Sequence, residues 1–188
     1  MEFYDVINTR RSVRQFSDKD IPEDIIKKIM VTAGRAPSGS NRQNWKYILI
    51  SDKSIQKKIS GICRGQKFIA QCPVTIVICG KDMSASYNRG NYMGELGMLV
   101  DTSISFTHFI LAARAEGLGT CWVGLFDNEE MKKLLNVPDG WDVAAISPLG
   151  YPKKENAFHS DISRISYEEL VSENEFQEPY NKHDYKKL

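Results

Sequence analysis

Three guanidinium groups and a hydroxyl fall within five residues at Arg10-Arg11-Ser12-Val13-Arg14. An arginine fork meets phosphate oxygens two at a time, and each such charge-assisted bond is worth about 1.5–3 kcal/mol, so this cluster suits a phosphate dianion. A solvated basic loop or a nucleic-acid patch uses the same residue types. With 25 Lys+Arg against 24 Asp+Glu the net charge is only +1, and no second basic stripe accompanies the cluster. That balance favours a small anion over a nucleic acid.

A second group with chemical potential is the loop Ala36-Pro37-Ser38-Gly39-Ser40-Asn41-Arg42-Gln43-Asn44. Ser38, Asn41 and Gln43 could hydrogen-bond the edge of a polar heterocycle, and Gly39 would let the backbone approach it. A plain polar connector would use the same residues. Cys63, Cys72, Cys79 and Cys121 form no C-x-x-C pair, and His108, His159 and His183 have no ligand spacing with them. Buried free thiols are expected, with no metal or iron–sulfur centre. His108 lies in a long apolar helix, reads as a packed histidine and is given no role.

Elements must hold these residues in place. The length of 188 residues, 41% of them hydrophobic and 26% charged, suits one domain. A short helix over Phe3 to Ile7 precedes the arginines, and Ser17 to Glu23 reads as a turn into an amphipathic helix over Asp24 to Gly34. A strand over Trp45 to Ile50 follows, then a helix over Asp52 to Ile62, a basic turn at Arg64 to Lys67, and a central apolar strand over Val74 to Cys79. The polar stretch Asp82 to Asn91 reads as a lid.

The longest helix, Tyr92 to Glu116, is apolar on more than one face, which points to a core shared by two subunits. Gly117 suits its left-handed C′ position, ahead of a strand-like segment reaching Gly124. A short helix over Asn128 to Asn136, capped by Asn128, leads to a last core strand over Val143 to Leu149. Gly150-Tyr151-Pro152 then reads as a turn. The chain contains neither the G-x-G-x-x-G fingerprint nor a Walker A sequence. With no run of 18 apolar residues and no basic leader, neither a membrane span nor a secretory signal is expected, and the location expected is cytoplasmic.

Taken together, Arg10-Arg11-Ser12-Val13-Arg14, Ala36 to Trp45, Cys72-Pro73, Gly117-Leu118-Gly119-Thr120-Cys121-Trp122-Val123-Gly124 and Leu149-Gly150-Tyr151-Pro152 resemble, in the same order, the FMN-dependent nitroreductase family. The resemblance covers residues 10 to 164. It implies an α+β fold, a mostly antiparallel central sheet flanked by helices, in a homodimer with FMN at each of two subunit interfaces. Residues 1–171 would form the single FMN-binding domain, and 172–188 a polar tail packing on the partner subunit.

Carried onto this sequence, the resemblance places Arg10, Arg11, Ser12 and Arg14 around the flavin phosphate and ribityl chain, with Arg164 and Lys154 completing the phosphate site. Pro37, Ser38 and Gly39 would lie on the isoalloxazine from the partner subunit, with Asn41 and Gln43 at its polar edge or the ribityl chain. Lys67 would reach the pyrimidine end, and Trp122, Val123 and Gly124 would pass the ring near N5. Asn44 stands where many relatives carry proline.

The activity implied is transfer of hydride from NADH or NADPH through FMN to an electron-poor acceptor (a nitroaromatic, a quinone or a flavin) by a ping-pong cycle, with no catalytic side chain required. A dehalogenase or flavin-fragmenting relative is one alternative. A flavin-binding or redox-sensing module with slow turnover is another, and a soluble domain with a surface arginine cluster a third.

Overall fold

A computed structural model describes residues 1–83 and 92–176. Most of the lid expected at Asp82 to Asn91, and the tail's His183, Tyr180 and Tyr185, lie outside them. The elements in chain order are α1 (Phe3–Thr9), α2 (Glu23–Gly34), β1 (Trp45–Ile50), α3 (Lys53–Ile62), β2 (Val74–Lys81), α4 (Tyr92–Ala115), β3 (Gly119–Thr120), α5 (Asn128–Leu135), β4 (Trp141–Gly150) and α6 (Tyr167–Leu170). The strands form one antiparallel sheet in the order β1-β2-β4-β3. The fold is α+β, as expected.

The run Val74 to Cys79 is apolar without alternation because β2 is buried on both faces. Successive side chains point to opposite sides of a strand. Ile76 and Ile78 pack with α2 and α4 through Ile29, Ala33, Phe106 and Phe109. Val77 and Cys79 pack on the other face with α3 and α5 through Ile59, Cys63 and Met131. All four cysteines are buried and free.

Helix α4 crosses the first of these layers, with Phe106, Phe109 and Ala113 fully buried. Over Leu96–Ala115 its length and mean hydropathy of 1.4 would also suffice to cross a membrane. The expectation of no such segment rested on an unbroken apolar run, whereas an average tolerates Asp101 and Arg114. Leu99, on the same helix, is 46% exposed.

Three local readings are corrected. The cap of α5 is Asp127, whose carboxylate accepts from the Glu130 N–H. Asn128 instead bridges to β4, accepting from the Val143 N–H at 3.2 Å and donating to Asp142 at 3.3 Å. Gly150-Tyr151-Pro152 is not a turn but extended chain. Gly150 pairs with Gly119, and Pro152 bridges to Phe16. β4 begins at Trp141, two residues early, because Trp141 and Asp142 find partners in Lys81 and Gly80.

Candidate functional site

Helix α1 closes with the Arg10 N–H on the Val6 carbonyl, and the chain leaves in an extended conformation at Arg10. From there residues 12–17 run between two neighbours. Val13 donates to the Thr120 carbonyl at 2.8 Å, Ser17 donates to the Tyr151 carbonyl at 2.9 Å, and Lys153 donates to the Gln15 carbonyl at 2.9 Å. Val13 and Phe16 turn inward against Cys72, which anchors the segment.

Extended chain alternates its side chains, so Arg10, Ser12 and Arg14 share one side while Arg11 and Val13 take the other. Arg11 is accordingly buried. Its Nη1 donates to the carbonyls of Asn8, at 3.0 Å, and Arg10, at 2.5 Å. Such a cation satisfies carbonyls at the end of α1. Its Nε is buried and has no partner among the described residues.

The cations converge without an acid. Burial first, then the charges of Arg11 and Arg164, hold the Arg10 guanidinium below its ordinary pKa. No carboxylate lies within ion-pair distance of Arg10, Arg11, Arg14 or Arg164 among the described residues. Ser12, Arg14, Gln15, Lys154 and Ala157 line a cavity of about 230 Å³ that also touches Val13. Lys154 and Ala157 border a second one of about 410 Å³ with Asn156, His159 and Asp161. Cys121 meets this group from just after β3. Burial pushes its thiol up, against the opposing pull of Arg14, a hydrogen bond with Ser12 and the charge of Arg10.

Lys67 is exposed at the start of a tight turn over Lys67–Ala70. Its neighbour Phe68 lies under the Arg14 guanidinium, 5.9 Å from the ring centroid. After β3, Val123 bonds Ile146 in both directions, at 2.8 and 3.0 Å. Trp122 stands 42% exposed, edge-on to Phe106 at 4.8 Å. Gly124 is exposed beyond it.

The second predicted group forms a separate place. Pro37, Ser38 and Gly39 line a cavity of about 260 Å³ against Gly97, Val100, Asp101 and Ile104 of α4. Asn41 and Gln43 are exposed, and the Gln43 amide donates to the Asn41 carbonyl at 3.1 Å. Asn44 continues the β1–β2 ladder. Its carbonyl accepts from the Lys81 N–H at 2.8 Å, and its side chain donates back to Lys81 at 3.3 Å. Gln15, Phe68 and Asp101 were not singled out in the sequence. Period-two alternation after α1 does not reveal Gln15, and the other two join the sites only through tertiary contacts.

The nitroreductase family model matches residues 7–67 and 63–151. An Archaeoglobus fulgidus protein named "Putative NADH dehydrogenase/NAD(P)H nitroreductase" is 31% identical over 172 residues, 89% of this chain and 95% of its own. A Clostridium novyi NT nitroreductase family protein of known structure is 32% identical, with a TM-score of 0.76 over 86% of this chain and 90% of its own. The iodotyrosine deiodinase of Thermotoga neapolitana is 27% identical over 175 residues, 79% of this chain and 88% of its own. With most of its length matched by the family model and a 31% identical relative aligned over 89% of it, the chain belongs to the nitroreductase family.

Proposed function

We propose that the protein is an FMN-dependent oxidoreductase that takes hydride from NADH or NADPH and delivers it to an electron-poor small molecule in a ping-pong cycle. The observation that carries this reading is that Arg10 meets the charges of Arg11 and Arg164, and Arg10 and Arg14 both bear on Cys121, with no carboxylate in ion-pair distance of these arginines among the described residues. Like charges held together, with Arg10 partly buried, need an anion, and the cavity beside Ser12 and Lys154 has the donor set for a phosphate. FMN, when bound, would supply the hydride chemistry itself.

The chain's own residues bind and orient. Arg10, Ser12, Arg14, Lys154 and Arg164 would hold the phosphate, with Arg11 backing them through the end of α1. Trp122, Val123 and Gly124 would present backbone at the ring, and Lys67 a positive charge at its pyrimidine end. Pro37, Ser38, Gly39, Asn41 and Gln43 would come from a second copy.

Apolar residues left uncovered support a homodimer. The segment after Phe158 is exposed along its length and carries Ile162, Ile165, Tyr167, Leu170 and Phe176. Several large apolar side chains exposed along one segment favour a covering surface. We place the FMN-binding domain at 1–171, the tail 172–188 on the partner, and the protein in the cytoplasm, where buried free thiols are ordinary.

A second reading, reductive dehalogenation of an aromatic substrate, is favoured by the match to the Thermotoga neapolitana deiodinase. Anaerobic assay of nitroaromatic, quinone, flavin and iodotyrosine acceptors with the FMN-loaded protein separates the two. Turnover of iodotyrosine alone would replace the first reading by the second.

A further inference from the structure

Asp101 is only 4% exposed, and its two oxygens have different fates. Oδ1 accepts the Gly39 backbone N–H at 3.0 Å. Oδ2 is buried with no hydrogen-bond partner among the described residues. A bare buried carboxylate oxygen is rare in native structures, because desolvation is then uncompensated. Asp101 lines the cavity of about 260 Å³ beside Pro37, Ser38 and Gly39, where Pro37, Val100 and Ile104 supply apolar wall and no other charged side chain contributes among the described residues.

The 37–43 loop beside this cavity is held in an uncommon shape. Ser40, Asn41 and Gln43 have φ of 52°, 54° and 50°, the left-handed region that non-glycine residues seldom occupy. Ser38 pins it by accepting the Gln43 N–H at 2.9 Å, and Asp101 ties it to α4. Strained backbone persists where surrounding contacts fix it, and such sites cluster at ligand clamps.

We propose that this cavity is a subsite for a small, largely apolar ligand group that carries an ammonium or N–H donor, with Oδ1 fixing the loop and Oδ2 receiving the donor. The proposal rests on the flavin reading in one respect: the ligand group would belong to the electron acceptor. The carboxylate repels acceptors with an anionic substituent at this point, so Asp101 sets specificity by charge as well as by hydrogen bonding.

The test is titration of the ¹⁵N-labelled full-length protein with benzylammonium, benzyl alcohol and benzoate, following the Gly39 and Gly97 amides by NMR. Benzylammonium is expected to shift both and to bind about tenfold more tightly than benzyl alcohol, and benzoate not to bind. Asp101→Asn keeps an acceptor for the Gly39 N–H but can present an amide donor where Oδ2 stood. It should weaken benzylammonium about tenfold or more while the Gly39 amide stays protected from exchange. Equal binding of the three probes to the natural protein, or unchanged benzylammonium binding in the variant, overturns the proposal.

Running the titration with and without FMN keeps the two ideas apart. Benzylammonium binding by a protein that retains no FMN leaves the subsite standing and defeats the flavin reading. Retained FMN without benzylammonium binding does the reverse.

Discussion

Val13 donates its backbone N–H to the Thr120 carbonyl at 2.8 Å, and Gly119 lies so close beneath Val13 that a Cβ on the glycine would stand 2.7 Å from the valine Cβ. This contact seats the arginine-bearing segment on the sheet edge. Gly119→Ala must push the two apart, and overpacking of this kind costs about 1–3 kcal/mol. The variant is expected to melt earlier and to lose FMN affinity together. Unchanged FMN binding would mean that the arginine segment does not depend on the close approach of Val13 to Gly119.

Arg14 faces the Ser12–Lys154 cavity and stacks over Phe68, so it can donate to an anion while its guanidinium stays oriented. Arg14→Ala should weaken FMN about tenfold or more, and Arg14→Lys should recover only part of it, because the ammonium lacks the planar fork. The deficit should shrink at high salt as the charges are screened. Fluorescence titration of FMN at two salt concentrations measures both effects, and a variant that binds normally removes Arg14 from the phosphate site.

Lys67 bears on redox rather than affinity. Placed at the pyrimidine end of the ring, its charge would favour the reduced cofactor, so Lys67→Ala should lower the midpoint potential of bound FMN. Spectroelectrochemistry reads this directly. An unaltered potential takes Lys67 out of the account.

Two buried thiols make the fold sensitive to alkali. Burial pushes Cys63 up to about 12, and burial with the charge of Asp142 pushes Cys79 up to about 11, from an ordinary 9.0. Above pH 9.0 the unfolded thiols ionise while the folded ones keep their protons, so the unfolded state binds fewer protons and stability falls as pH rises. Below that value the contribution is fully present. Thermal melts from neutral to alkaline pH should show the decline, and Cys79→Ala should flatten it. Equal slopes for the two proteins would assign the decline to other groups.

Capping of α5 offers a local check. Asp127→Ala removes one N-cap bond and should cost about 1 kcal/mol. Asn128→Ala strips the buried Val143 N–H of its acceptor and removes one of the two donors to Asp142, which keeps Lys132, so it should cost more, about 1–3 kcal/mol. Denaturant unfolding of the two variants gives the order, and the reverse order would mean that the Asn128 bridge to β4 contributes less than the Asp127 cap.

The sequence carried most of this fold, for identifiable reasons. β1 runs over Trp45–Ile50 as expected, because a β-prone run is bounded by Asn44 and by Asp52, which caps α3. Arg10, Ser12 and Arg14 were legible as a cluster from spacing alone. What was not legible depends on distant partners. Glycine and proline at 150 and 152 signal a turn locally, yet pairing with Gly119 and Phe16 keeps the chain extended. Asp127 and Asn128 are both good caps, and only contact with β4 decides between them. Asp101 carries no signal in sequence, since its role exists only where Gly39 comes to α4.

The central claim is tested most directly by the visible spectrum of the purified, FMN-supplemented and desalted protein, followed anaerobically as NADH or NADPH is added. The account predicts a retained flavin band that bleaches on addition of nicotinamide and returns when a nitroaromatic, quinone or flavin acceptor follows. A protein that emerges from desalting without flavin would contradict the assignment of Arg10, Ser12, Arg14 and Arg164. A band that nicotinamide leaves unbleached would keep that assignment and contradict the proposed reaction.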